Sequence, residues 1–246
     1  MIKLFRKIRQ DLLSKGKTGK YLKYAIGEII LVVIGILIAL QINNWNEINK
    51  KIYLKNEYQN SLINDFRKDT IQINARLKKN RDRVEFLTPV IDSIYNGFYT
   101  TIEHYIKLLN DNAGSIRVSN TYNTNSFNLL ISSGSIDLFD KKFRTELMEL
   151  NRLQKTEQTV QNGNKDYLFV FMQKVSLKYP AVNGIQFNED SRNQLLWNNV
   201  KIDDLPRDVS ALIFQEDYTL RRYIETTDSV LHQTELVLKM LNKIDD

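Results

Sequence analysis

The sequence predicts an all-α protein: one N-terminal transmembrane helix continuing into a long helix, followed by an extracytoplasmic antiparallel helical bundle. Three observations predict it. Between Ile29 and Leu40 no side chain is polar. Downstream of Trp45, apolar residues recur at steps of three and four, with Lys, Arg, Asp and Asn between them. Alternating, strand-like patterning is nowhere strong, and no internal repeat period emerges.

The apolar run comes first. From Ile26 to Ile42 it covers 17 residues, about 25 Å of helix at roughly 1.5 Å per residue, most of a hydrocarbon core. Its ten large aliphatic side chains between Ile29 and Leu40 favour insertion by about 3 to 6 kcal/mol in total. Glu28 opposes this by at most about 3 kcal/mol, and by less because it lies near one end. Tyr21 and Tyr24 flank the run on one side and Trp45 on the other, the aromatic pattern of two membrane interfaces. A cleaved signal peptide fits poorly, because the run exceeds a normal h-region and no small-x-small site precedes Trp45. Residues 21–45 therefore read as a retained signal anchor.

Charge sets the orientation. Residues 1–45 hold eight basic and two acidic side chains, and the remaining chain holds 27 of each sign, so the net charge of +6 resides in the N-terminal arm. A basic protein invites a nucleic-acid reading, but charge confined to a juxtamembrane arm fits the positive-inside rule better. Lys15, Lys17, Lys20 and Lys23 are the topology-setting charges. The expected layout is a cytoplasmic basic arm over residues 1–20, the span over 21–45 and a periplasmic helical bundle over 46–246. This places the chain in the inner (cytoplasmic) membrane as a single-pass protein. With no cysteine, disulfides, thiol catalysis and Cys-ligated metals are excluded.

Within the arm, Ile2, Phe5, Ile8 and Leu12 recur at helical spacing among basic residues, as in an amphipathic helix on an anionic leaflet or a partly ordered tail whose charge merely sets topology. Ser14 to Lys20 reads as a linker. Its GKTGK lacks the G-x-x-x-x-G-K-[ST] spacing and a preceding strand, so it is no phosphate loop. In the span, Gly27, Gly35, Ala39 and Asn43 lie close to one face, a surface on which two helices can approach closely. Glu28 borders that face. Enclosed between helices it would carry a proton; among headgroups it would stay ionised and fix helix depth.

The segment KYLKYAIGEIILVVIGILIALQINNWNE, with the opening MIKLFRKIRQ, resembles the N-terminal hallmark of an uncharacterised family of single-span proteins common in Bacteroidota. The pattern GEIxLVVxGILIALQxNNW carries the likeness over residues 1–48. A weaker echo at Ser126-Phe-Asn-Leu-Leu-Ile-Ser-Ser-Gly134 is similar to that family's xLxxSG turn. The resemblance implies location and helical architecture, and it supplies no chemistry.

Beyond Trp45, the face Ile48, Ile52, Leu62, Phe66, Ile73, Leu77, Val84, Leu87 and Ile91 predicts a long helix, free of Gly and Pro from residue 40 to residue 88. Unbroken from Ile42 to Leu87, it would measure about 69 Å. Pro89 predicts a kink or an end, with short helices at 89–95 and 101–109. Asp111-Asn-Ala-Gly114 is a turn signal, and residues 115–125 are left unassigned. Asn125 to Ser132 predicts a short helix closed by Gly134. Phe143, Leu147 and Leu150 open a further amphipathic helix. Its middle, QKTEQTVQNGNKD, is polar except for Val160, and Asn162-Gly-Asn164 could break it. Tyr179-Pro180 stops it, and 181–204 reads as loop around Leu195, Leu196 and Trp197. Pro206, with Asp203, Asp204 and Asp208, opens the last helix. Val209, Leu212, Leu220, Tyr223, Val230, Val237, Leu241 and Ile244 line it at heptad-compatible spacing, giving the coiled-coil-like seam of a bundle.

Catalytic constellations are thin. Glu103-His104 and His232-x-x-Glu235 offer two ligands each at spacings that match no zinc or calcium motif. No nucleophile elbow, glycine-rich phosphate loop or dinucleotide fingerprint occurs. The expectation is therefore a membrane-anchored interaction or sensory module without enzyme activity, cofactor or metal. Its partners would be the lipid bilayer and a second copy or another membrane protein, and no nucleic acid. Two alternatives stand beside it. One is a proton-coupled accessory subunit using Glu28, on a general likeness to the single-span partners of proton-driven motors. The other is a periplasmic enzyme in which His104, His232 and a carboxylate converge.

Overall fold

A computed structural model describes residues 18–112, 121–180 and 197–243. Every regular element among them is helical. The chain divides into two compact units, Met1–Glu57 and Tyr58–Asp246.

Helix α1 runs over Thr18–Tyr95, 78 residues. It takes in the last three residues of the expected linker and the whole apolar run. In the first unit its described side chains from Ile26 to Leu54 are exposed, apart from a partly covered Glu28. The absence of Gly and Pro from residue 40 to residue 88 leaves nothing to interrupt the helical hydrogen bonding.

Of the kink or end expected at Pro89, the structure rules out the end: residues 89–95 are the last turns of α1 and not a separate short helix. Pro89 and Glu85, whose carbonyl loses its usual donor, both face solvent, where water can meet that carbonyl. The opposite face is held by buried Leu87 and by Val90, Ile91 and Ile94 in the core. Packing outweighs one lost hydrogen bond. The helix stops at Gly97, whose φ of 72° suits the position after a helix end. Gly97 N donates to Ile94 O at 3.2 Å and Phe98 N to Ser93 O at 2.9 Å, the Schellman pattern.

Helix α2 spans Ile102–Asn112, so Asp111 and Asn112 are helical where a turn was expected; Ala113 and Gly114 lie outside the described residues. Helix α3 is Asn125–Ser132. It closes as expected on Gly134, with φ 70°, which leads into a short 3₁₀ turn at Ser135–Leu138. Helix α4, Lys141–Lys178, starts where the Asp140 carboxylate accepts from Phe143 N at 2.9 Å, a side-chain N-cap. It continues through Gly163 without a break. A Cβ there would meet nothing within 4 Å, so this glycine serves no close approach. Tyr179, in extended conformation, ends α4 as expected. Helix α5, Leu205–Asn242, has Pro206 in its first turn and Asp208 beside it.

In the second unit α5 runs antiparallel to both α4 and the second half of α1. Gln59 Nε2 donates to Leu241 O at 2.9 Å, while Arg83 near the other end pairs with Glu216 at 2.8 Å. Likewise Gln233 bonds Glu146 and Lys178 reaches Asp208. The apolar residues form two clusters. One gathers Leu62, Phe66, Ile73, Phe143, Leu147, Leu150, Val230 and Val237. The other gathers Leu87, Leu168, Val175, Trp197, Leu205, Val209 and Ile213. Every seam residue expected on α5 and described is buried; Ile244 lies outside the described residues. Trp197, expected in a polar loop, is 6% exposed and belongs to the second of these clusters.

Candidate functional site

Two places in the chain combine side chains and surroundings in a way that calls for a role. The first is the apolar segment of α1. None of its most apolar window is buried. Gly27 and Gly35 have open space where a Cβ would be, and Ala39 and Asn43 on the same face are exposed. Tyr24 is 54% exposed and Trp45 67% exposed, at either end of the apolar run. Lys23 is exposed. Tyr21 and Lys20 fall within α1, and Lys15 and Lys17 lie outside the described residues.

The second place lies inside the packed helices, between the two apolar clusters. The buried stripe of α4 is Phe143, Leu147, Leu150, Gln154, Glu157, Gln161, Leu168 and Val175. Its steps of three and four continue through the polar middle, so Gln154, Glu157 and Gln161 occupy core positions. Glu157 is 1% exposed and Gln161 3%. The Oε1 atom of Glu157 accepts from Gln161 Nε2 and from Thr227 Oγ1, both at 2.6 Å. Arg76, from α1, brings a guanidinium nitrogen to 3.9 Å of that oxygen. Its ion pair is therefore long, and the same nitrogen donates to Tyr122 Oη at 3.2 Å. On α5, Tyr223 Oη donates to Gln161 O at 2.9 Å.

Asp69 extends the layer along α1. It is 1% exposed, and its Oδ1 accepts from Asn123 N at 2.9 Å and Asn123 Nδ2 at 2.7 Å. Several buried atoms have no hydrogen-bond partner among the described residues: Asp69 Oδ2, Glu157 Oε2 and Gln161 Oε1 among acceptors, Arg76 Nε and Asn164 Nδ2 among donors. Leaving such atoms unpaired costs about 1–3 kcal/mol each.

The electrostatics follow the burial. Desolvation pushes the Glu157 carboxyl above its ordinary range, against the pull of Thr227, Arg76 and Gln161. Burial does the same to Asp69, opposed by the Asn123 bonds. Burial lowers Arg76, while Glu157 and Asp69 work to raise it. Tyr223 is pushed up to about 12 by burial, with the charge of Asp166 adding to it. These are groups whose charged forms the interior disfavours.

The two histidines take no part in either place. His104 meets Tyr99 edge-on, with ring centroids 5.6 Å apart. There it borders an open groove of about 410 Å³ shared with Phe86, Phe98 and Lys107. His232 stands next to Gln233, which bonds Glu146 beside the other cluster. Among the described residues no three His, Asp or Glu side chains gather as a metal site would require.

A family model described as a family of unknown function, DUF6090, matches residues 28–152, about half of the chain. This chain belongs to that family. The match starts at Glu28 in the apolar run and takes in the rest of α1, α2, α3 and the first third of α4. Asp69, Arg76, Tyr122 and Asn123 fall inside it; Glu157, Gln161 and Thr227 fall beyond its end. An uncharacterised family was the expectation from the N-terminal motif, and the family carries no assigned chemistry. No curated protein and no solved structure matches the chain.

Sequence reasoning located the apolar site and missed the buried layer. The signal was present, because the stripe from Phe143 to Leu150 extrapolates in steps of four and three onto Gln154, Glu157 and Gln161. Reading polarity instead of position left Gln154, Glu157 and Gln161 in a polar middle with no buried face assigned to them.

Proposed function

We propose that this protein is a single-span, membrane-anchored helical module for interaction or sensing. Its N-terminus would lie in the cytoplasm and residues 46–246 in the periplasm. The observation that carries the reading is the apolar segment of α1, long enough to cross a bilayer and with none of its window buried. A soluble core helix would be covered; one that spans is covered by lipid. The basic arm ahead of it supplies the orientation. The second unit has apolar clusters of its own, as a domain held outside a membrane needs. The open face of Gly27, Gly35 and Ala39 suits close approach of a second copy or of another membrane helix.

A topology reporter tests this. Alkaline phosphatase fused after Asp246 should be active in intact cells, and a cytoplasmic reporter at the same place should be silent. The reverse pattern would overturn the orientation. Gly35→Leu should weaken self-association in a membrane two-hybrid assay, since a bulky side chain blocks close approach. Unchanged association would move the contact away from this face.

A further inference from the structure

The buried layer is a cross-section of the second unit where packing is polar, between two apolar clusters. Its hydrogen bonding is unbalanced. Among its described residues three acceptors, Asp69 Oδ2, Glu157 Oε2 and Gln161 Oε1, lack partners against two donors, Arg76 Nε and Asn164 Nδ2, and two of the acceptors belong to carboxylates. One proton on Glu157 changes that balance twice over, removing a buried charge and turning an acceptor into a donor.

We propose that the layer is a proton-operated joint between the two apolar halves of the bundle. With Glu157 ionised it is the weakest cross-section of the packed helices; with Glu157 protonated it closes. The groups around Glu157 permit this. From α1 Arg76 approaches, at 3.9 Å, and it is shared with Tyr122. Asp69 lies beyond it, tied to Asn123. From α5 come Thr227, a neutral donor, and Tyr223, bonded to the Gln161 carbonyl. On α4 itself the neighbour is Gln161, with Asp166 further along acting on Tyr223. The charged side chains Arg83 and Glu216 pair with each other, as do Arg81 and Asp228. No cation in this set compensates Glu157 closely.

The sign is fixed by linkage. The folded carboxyl lies above its ordinary value of 4.5, so the packed state binds the proton more readily than the opened one. The ionisation penalty is fully present above the folded value. It is relieved as pH falls through that value toward 4.5. Acidification therefore tightens the joint.

Hydrogen exchange read by mass spectrometry on the full chain in lipid nanodiscs tests this, with intrinsic rates corrected for pH. Near pH 7.5, peptides covering 154–161 and 223–227 should exchange faster than those carrying Leu147–Leu150 or Val209–Ile213. At a second, more acidic pH they should slow, the direction set by the raised Glu157 carboxyl, while the apolar peptides hold. Glu157→Gln, neutral and of the same shape, should give the slow pattern at both values. Layer peptides as protected as their neighbours near pH 7.5 would overturn the proposal. So would a wild-type pH response surviving in Glu157→Gln. The first comparison needs no variant, so a variant that fails to fold leaves it standing.

Discussion

Two stretches of this chain break the same packing rule in opposite directions. The run from Ile29 to Leu40 is apolar and exposed; the run from Gln154 to Gln161 on α4 is polar except for Val160 and holds three buried polar side chains. Both are helical and both obey helical periodicity, so the difference lies in what surrounds them. An apolar helix with nothing covering it calls for a solvent other than water. A polar helix segment under two neighbours must settle its polar atoms among them, and here it does so incompletely. Polarity of sequence reports the preferred medium, whereas burial reports the neighbours.

The comparison breaks most visibly in the span. Val33→Arg together with Ile36→Arg places two cations in mid-segment, against insertion by about 5–7 kcal/mol. That matches or exceeds everything the aliphatic side chains contribute. The doubly substituted chain should leave the membrane fraction on carbonate extraction; full retention would end the lipid-facing reading. Leu147→Ala is the counterpart in an apolar half of the bundle. It should cost about 2–5 kcal/mol by the lost contacts and the cavity left behind, followed by denaturant unfolding of the full chain in micelles.

The polar layer should respond with the other sign. Gln154 is 6% exposed at a core position, so Gln154→Leu should be neutral or gain up to about 1 kcal/mol in the same assay. A loss as large as that of Leu147→Ala would mean that the layer is a tightly satisfied network. The smallest effect is expected at Gly163. Open space surrounds its missing Cβ, so Gly163→Ala should add about 0.5–1 kcal/mol through helix propensity alone. Destabilisation there would show that α4 needs a flexible point after all.

Legibility differed by position along the helices. On α5, Val209, Leu212, Leu220, Tyr223, Val230, Val237 and Leu241 were readable because each core position carries an apolar or aromatic side chain. Apolar spacing then states the buried face directly. On α1 the same spacing ran from Ile48 to Ile91, yet Ile48 and Ile52 are exposed while the face from Leu62 onward is buried or, at Val84 and Ile91, partly buried. Periodicity marks a face and leaves open where along the helix partners cover it. Pro89 does not end the helix for a related reason, since a local rule about backbone donors was outweighed by the anchoring of Leu87, Val90 and Ile94.

The sequence by itself determined the helical class, the apolar segment with its aromatic and basic flanks, the closure at Gly134 and the seam of α5. All of these rest on local chemistry: side-chain polarity, turn geometry and periodicity act over a few residues. Tertiary structure alone decided which polar residues are buried. Glu157, Gln161, Thr227, Arg76 and Asp69 come from three helices and meet only once those helices pack, across 158 residues between Asp69 and Thr227. Burial, and with it the cost of a charge, belongs to the assembled neighbours and not to the residue that bears it.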